Sequence, residues 1–208
     1  MESAMNLLVY AVLGYLLGSV PFAVIVSRAF RLADPRSFGS GNPGATNVLR
    51  SGSKAAALLT LLGDAAKGWL AMFVAAKVGA DGTAIAVAGL AAFLGHVFPF
   101  TLGFRGGKGV ATALGVLLGF SAALAGITAA VWLTAIIFTR YSSLGALAAA
   151  AAAPALTWWL LGSVDVTAAV TFMCAVLIYR HKSNIRKLLA GSEGRIGGPK
   201  KPRHGPTL

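Results

Sequence analysis

Residues 110–139, VATALGVLLGFSAALAGITAAVWLTAIIFT, form an apolar stretch without a single charged residue. Read as one helix, the stretch gives the chain six membrane crossings; broken near Gly119-Phe120-Ser121, it gives seven. The other apolar runs fall near residues 5–28, 54–78, 82–103, 142–161 and 164–179. Charge decides between the two counts. The connection Arg28–Lys54 holds five Lys/Arg and belongs in the cytoplasm, because short cytoplasmic loops accumulate positive charge; the N-terminus is then outside. With six crossings the basic stretch from Arg180 onward would also lie outside. With seven, every Lys and Arg except Lys67 and Lys77 faces the cytoplasm, while Glu2, Asp81 and Asp165 lie outside. The chain is therefore predicted to cross seven times, with the N-terminus outside and the C-terminus cytoplasmic. The fourth crossing is short, roughly half of the ~20 residues a full span needs.

Composition supports a bilayer as the solvent. The 208 residues are 57% hydrophobic and 12% charged, with a mean hydropathy of +0.76, more apolar surface than a soluble domain of this size needs. In lipid each backbone group must be satisfied within its own segment, and the two-residue alternation of barrel strands is absent, so an all-α polytopic helical bundle follows. It reads as one membrane-embedded domain over 1–196 with a flexible basic tail over 197–208. The first run lacks a basic leader and a cleavage site and reads as a retained helix. The lone Cys174 excludes an internal disulfide and reads as packing. The net charge of +12 does not point to nucleic acid, since the bases sit in short connections and the tail. Anionic lipid head groups and phosphorylated substrates suit them better.

Three polar segments share the cytoplasmic face. Gly39-Ser40-Gly41-Asn42-Pro43-Gly44-Ala45-Thr46-Asn47-Val48-Leu49-Arg50 is glycine-broken and free of acids; its hydroxyls, amides and one guanidinium suit phosphate oxygens. Gly103-Phe104-Arg105-Gly106-Gly107-Lys108-Gly109-Val110-Ala111-Thr112 resembles a P-loop but fails as one, because position 102 is leucine and glycine follows the lysine. What remains is a glycine nest at a helix N-terminus with Lys108 as a point charge. In Arg180-His181-Lys182-Ser183-Asn184-Ile185-Arg186-Lys187-Leu188-Leu189, the i, i+3 spacing of His181 and Asn184 puts them on one face of a continuing helix. Alone, each segment reads as a solvated turn or a juxtamembrane anchor; together they build one site.

Inside the membrane, Asp64 and Lys67 read as a structural ion pair near the rim of that site, and His96, in Gly95-His96-Val97-Phe98-Pro99, as a satisfied core histidine. The six carboxylates and three histidines are scattered, so neither a metal site nor a cofactor is expected. The aspartate-rich motif of CDP-alcohol phosphotransferases is missing. So is the histidine followed five positions later by aspartate that marks acyl-CoA-using glycerolipid acyltransferases: position 101 is threonine and position 186 arginine.

With Gly18-Ser19-Val20-Pro21-Phe22-Ala23 and Leu62-Gly63-Asp64-Ala65-Ala66-Lys67-Gly68, these segments resemble the bacterial acyl-phosphate-dependent glycerol-3-phosphate acyltransferases, the PlsY-type integral membrane family. The resemblance covers nearly the whole chain up to about Gly197. It implies transfer of a fatty acyl group from acyl phosphate to the C1 hydroxyl of sn-glycerol 3-phosphate, giving lysophosphatidic acid at the cytoplasmic face of the bacterial inner membrane. By that likeness Ser40, Arg50, Lys108, His181 and Asn184 are the catalytic set. Asn42, Thr46 and Asn47 line the site; Gly106, Gly107 and Gly109 cradle the acyl phosphate; Glu193 is a structural acid. The expected partners are the two substrates and membrane lipids, with the chain acting as a monomer. A mixed anhydride carries its own leaving group, so alignment and charge stabilisation are the main tasks, and the departing phosphate can accept the proton. A transporter of a phosphorylated solute is the competing reading, although no inverted repeat or pair of matching broken helices is visible.

Overall fold

The computed structural model describes residues 2–198, and no strand occurs among them. Residues 199–208, most of the expected flexible tail, lie outside the described residues. An apolar first segment is broken in two, α1 (Glu2–Gly18) and α2 (Phe22–Ala29), and α3 (Ala45–Leu49) is a short turn in the long connection that follows. Then come α4 (Lys54–Lys77), α5 (Gly82–Val97), α6 (Val110–Phe120), α7 (Ala122–Thr139), α8 (Ser142–Leu161) and α9 (Val164–Arg180); α10 (Lys182–Leu189) leaves α9 at 57°. Among the described residues, five segments are long and apolar enough to cross a bilayer alone, and the bent α9–α10 pair makes a sixth. The remaining expected crossing, α6, has 11 residues. At 1.5 Å per residue it spans about 16 Å and does not cross by itself.

Local chemistry sets the helix ends. Ser53, Asp81, Ser121 and Ser163 each accept an N–H of the first turn of α4, α5, α7 and α9, an arrangement worth about 1 kcal/mol apiece. Ser121 settles the division of the opening stretch. Its extended backbone, φ −163° and ψ 130°, ends α6 and starts α7 in one residue.

Lipid supplies no hydrophobic drive between helices, so association relies on close backbone approach. Gly14 and Gly18 lie on the backbone of Ala88 and Ala92, seating α1 against α5. Gly68 faces Thr112, Gly115 faces Ala65 and Gly119 faces Met72, so α4 and α6 run parallel. These pairings also explain why α6 is short. Its end is level with Met72, near the end of α4, but its start is level with about Asp64, ten residues into α4. The loop before α6 is thus sunk about 15 Å below the start of α4.

The break in the first segment leaves carbonyls without helical partners, and the buried Lys67 and the exposed Thr101 meet them. Lys67 Nζ donates to the Val20 carbonyl (2.8 Å) and Thr101 Oγ1 to that of Ser19 (2.7 Å). Lys67 and Asp64 form the expected pair at 2.9 Å, and His96 Nδ1 is 3.3 Å from the same carboxylate oxygen; all three side chains are buried. The Asp64 carboxylate is the shared partner: it and Lys67 offset each other's desolvation, and it anchors the His96 ring.

Candidate active site

The connection between α2 and α4 has little apolar surface to bury and is organised by one amide. Asn47 is buried; its Oδ1 accepts the Ser40 N–H (3.0 Å) and Arg50 Nη1–H (3.3 Å), while Nδ2 donates to the carbonyls of Pro35 (2.6 Å) and Phe38 (3.1 Å). Both ends of the side chain are spent within the loop. The amide therefore shapes the site and holds Ser40 and Arg50. Ser40, Thr46 and Arg50 are exposed, and Asn42 is half-buried.

The glycine loop departs in detail from the simple cradle. Gly106 and Gly107 donate their N–H groups to the carbonyls of Val97 (3.2 Å) and His96 (3.1 Å), so those donors are committed to the end of α5. The N–H groups of Lys108, Gly109, Val110, Ala111 and Thr112 have no acceptor among the described residues. They form the open first turn of α6, where free N–H groups and the positive end of the helix dipole coincide. Gly109 caps this turn at φ 87° with Phe93 directly beneath it, so a side chain is refused on both counts. Lys108 is half-buried. Burial, chiefly, and then Arg50, Lys187 and Arg180 bring its pKa down to about 8, against the pull of Glu193. It is still cationic at pH 7, and a bound anion would strengthen that charge.

His181 sits at the α9–α10 bend with its ring turned inward, 3% exposed, and Nδ1 2.8 Å from the Leu177 carbonyl. A carbonyl only accepts, so the network assigns the proton to Nδ1 and leaves a lone pair on Nε2. Burial, with a smaller push from Lys108, brings the pKa down to about 4 despite the Leu177 bond, and the ring is neutral at physiological pH. The expected continuous helix bends here: His181 precedes α10, and Asn184 stands in its first turn. Asn184 Nδ2 donates to Glu193 Oε1 (2.7 Å), which also accepts from Ser143 Oγ (2.7 Å), while Lys108 Nζ donates to Asn184 Oδ1. A carboxylate on one end of the amide and an ammonium on the other fix its orientation.

The chain after α10 folds back over the α7–α8 junction. The Ile196 N–H donates to the Arg140 carbonyl (2.8 Å), Arg140 Nη2 donates to the Ile196 carbonyl (2.8 Å), and Arg195 Nε donates to the Tyr141 hydroxyl (3.1 Å). The hydroxyls of Thr46 and Ser142 are 3.2 Å apart, and Gly194 lies against the Arg50 guanidinium. All three sequence segments thus meet at one end of the bundle. Ser142 and Ser143 were missed by sequence reasoning. The signal available was the polar run Arg140-Tyr141-Ser142-Ser143 between two apolar stretches, on the side of the other motifs.

A recessed lysine, an open helix N-terminus and converging arginine, histidine and amide groups at one end of an apolar helical bundle define a class of membrane proteins whose polar cluster suits an anionic ligand. The chain belongs to the glycerol-3-phosphate acyltransferase family, whose model matches residues 8–191. It is 58% identical over 196 residues to a glycerol-3-phosphate acyltransferase of Aromatoleum aromaticum, covering 94% of this chain and 100% of that one. It is 60% identical over 195 residues to that of Laribacter hongkongensis, covering 91% and 96%. Crystal structures of PlsY (YgiH), an integral membrane glycerol 3-phosphate acyltransferase, in its glycerol 3-phosphate and lysophosphatidic acid forms superpose with TM-scores of 0.86 and 0.85 at 38% identity. They cover 92% of this chain and 96% and 95% of theirs.

Proposed function

We propose that the donor is an acyl phosphate, that the acceptor is the C1 hydroxyl of sn-glycerol 3-phosphate, and that the products are lysophosphatidic acid and inorganic phosphate. Acyl transfer to glycerol 3-phosphate follows from family membership; the donor rests on the depth of the glycine loop. A phosphate joined directly to an acyl chain carries its charge next to the tail and has to be met inside the bundle. Lys108 and the open turn of α6 lie at that depth.

In this reading the donor phosphate rests on Lys108 and the free N–H groups of 108–112. Gly106 and Gly107 serve by having no side chain, and Gly109 by its left-handed turn. Arg50 and Ser40, with Asn42 and Thr46 beside them, receive the second phosphate and offset repulsion between the two anions. The glycerol hydroxyl attacks the acyl carbon, the anhydride C–O bond breaks, and the departing phosphate takes the hydroxyl proton. His181 Nε2 and Asn184 orient the hydroxyl for that attack. The binding groups belong to one chain, which supports action as a monomer. Seven crossings, counting α6 with its sunken loop, put this face in the cytoplasm and the N-terminus outside, in the inner membrane of a bacterium.

The test is transfer by the detergent-purified protein. Palmitoyl phosphate and glycerol 3-phosphate should give lysophosphatidic acid, and palmitoyl-CoA should give essentially none; efficient use of the thioester would overturn the donor assignment. A transporter of a phosphorylated solute would make no product. Sidedness is tested in a Cys174→Ser background, where cysteines replacing Ser53 and Ser183 should be labelled only from the cytoplasm and one replacing Gly162 only from outside. Outside labelling at position 183 would mean six crossings.

A further inference from the structure

We infer that Arg180 and His96 are positioning residues for the proposed donor site: they hold the Gly106–Gly107 peptides from α9 and from α5, and so aim Lys108 and the first turn of α6 at the anion. The inference rests on the acyl-phosphate reading of that loop. Neither side chain is placed to touch substrate through the free N–H groups; both act on the backbone that precedes them.

Arg180 is the last residue of α9, immediately before the His181 bend, and is half-buried. One guanidinium nitrogen, Nη2, lies 2.9 Å from the Gly106 carbonyl and 3.4 Å from that of Gly107. The guanidinium carbon sits 5.6 Å from the centre of the Phe98 ring, and Nε is buried with no acceptor among the described residues. A buried donor left unpaired carries a cost. The cost is understandable if the group is placed for the loop carbonyls. With the Gly106 and Gly107 N–H groups bound to Val97 and His96, both faces of these peptides are fixed. A flexible loop would have to lose conformational freedom when an anion arrived; one already fixed avoids that loss.

His96 works from below. Its Nδ1 is tied to Asp64, which is tied to Lys67, and Lys67 in turn holds the broken first segment at Val20. The ring therefore has little freedom to turn. Its other nitrogen, Nε2, faces the Gly107 backbone so closely that a Cβ at position 107 would land on it. This changes the reason for that glycine: the side chain is excluded by the imidazole, and approach of a phosphate to the Gly107 backbone is not needed to explain it. The buried ionic cluster thus joins the first segment to the floor of the donor loop, a role beyond that of a structural ion pair.

Three measurements decide the matter. Arg180→Gln should raise the KM for palmitoyl phosphate by about tenfold and leave that for glycerol 3-phosphate within about twofold, and Arg180→Lys, which keeps several N–H donors, should recover part of the loss. An equal rise in both KM values would overturn the assignment. Gly107→Ala should be severely impaired, and adding His96→Ala should restore at least about tenfold of the lost kcat/KM, a coupling that independent sites do not show. A double variant as poor as the product of the two singles would refute the part given to His96. Backbone hydrogen exchange of the full protein in detergent needs no donor at all: the amides of Gly106 and Gly107 should exchange faster in Arg180→Gln than in the wild type. Unchanged exchange would defeat the positioning role even if transfer succeeds, whereas wild-type protein inert toward palmitoyl phosphate but with accelerated loop exchange in the variant would defeat only the donor assignment.

Discussion

The loop around Asn47 and the loop around Lys108 each present a cation, assigned above to one of two anionic ligands under the proposed function, yet they are built in opposite ways. Arg50 is exposed and is held by a single 3.3 Å bond to an amide that also organises the loop. Lys108 is half-buried, with its pKa down at about 8, bonded to Asn184 and followed by a helical turn of uncommitted N–H groups. The first cation already has water around it and gives up little when a ligand binds or leaves. The second has lost much of its hydration on folding and is best satisfied by an anion. Exposure makes a charge easy to hold and easy to screen; burial makes it dependent on its partner.

The sharpest way to break this contrast is to remove each cation. Lys108→Met should cost about a thousandfold in kcat/KM, the range seen when a buried charge-stabilising donor is lost. If Arg50→Ala costs more, the order of the two sites is reversed. Because the Lys108 pKa is depressed, its charge is lost as pH rises through about 8. Wild-type kcat/KM for acyl phosphate should therefore decline above that pH, and a flat profile to pH 9.5 would contradict the assignment.

His181 carries the next largest effect. His181→Ala and Asn184→Ala should each lose about a hundredfold, while His181→Gln keeps activity within about tenfold of wild type because an amide can still orient a hydroxyl. With a pKa near 4, the ring contributes no ionisation between pH 6 and 7. If the glutamine variant is as inactive as alanine, and a wild-type ionisation disappears with it, histidine is the base. The same shift has a stability consequence. The unfolded chain binds a proton here below about pH 6.5 that the folded chain refuses until about pH 4, so the fold loses stability as pH falls through that window. The wild type should therefore lose more of its melting temperature between pH 7 and 5 than His181→Gln does.

Smaller effects belong to the exposed loop. Arg50→Ala should raise a substrate KM by about tenfold at low salt, and the difference should shrink toward 0.5 M salt, as screening of an exposed charge requires. Ser40→Ala should cost less, and Thr46→Ala about twofold or less, as befits an exposed hydroxyl pair with Ser142. A salt-independent Arg50 effect would show that this guanidinium, too, becomes buried when substrate is bound.

The run of apolar segments and the three polar motifs were legible because each is local: a hydropathy window or a cluster of glycines. The break near Gly119-Phe120-Ser121 was read from the distribution of charge over the whole chain, and the Ser121 cap that makes it came only with the structure. The depth of α6 was not legible, since it depends on which residues of α4 face Thr112 and Gly115. Nor did spacing reveal that Asn47 would spend its amide inside its own loop, or that Gly106 and Gly107 would commit their N–H groups to α5. The cluster Ser143–Glu193–Asn184–Lys108 joins residues far apart in the chain, and it forms only when the segment after α10 folds back over Arg140. Asp64 and Lys67 were recognised as a pair from i, i+3 spacing; their link to His96 is long-range and came only with the structure.

Ser121 finally constrains how this chain can tolerate insertions. One residue closes α6 and opens α7, so no slack separates the two helices. Each residue inserted there would change the rotational phase of one helix against the other by about 100°. Leu124 and Ala125, buried on α7, would then turn away from the bundle, and the mismatch would propagate along α7 to Ser143 at the start of α8. The turn at Val78–Asp81, joining α4 to α5, has four residues between helices and can absorb such a change by local unwinding. Length variation should therefore be accepted at that turn and rejected at Ser121.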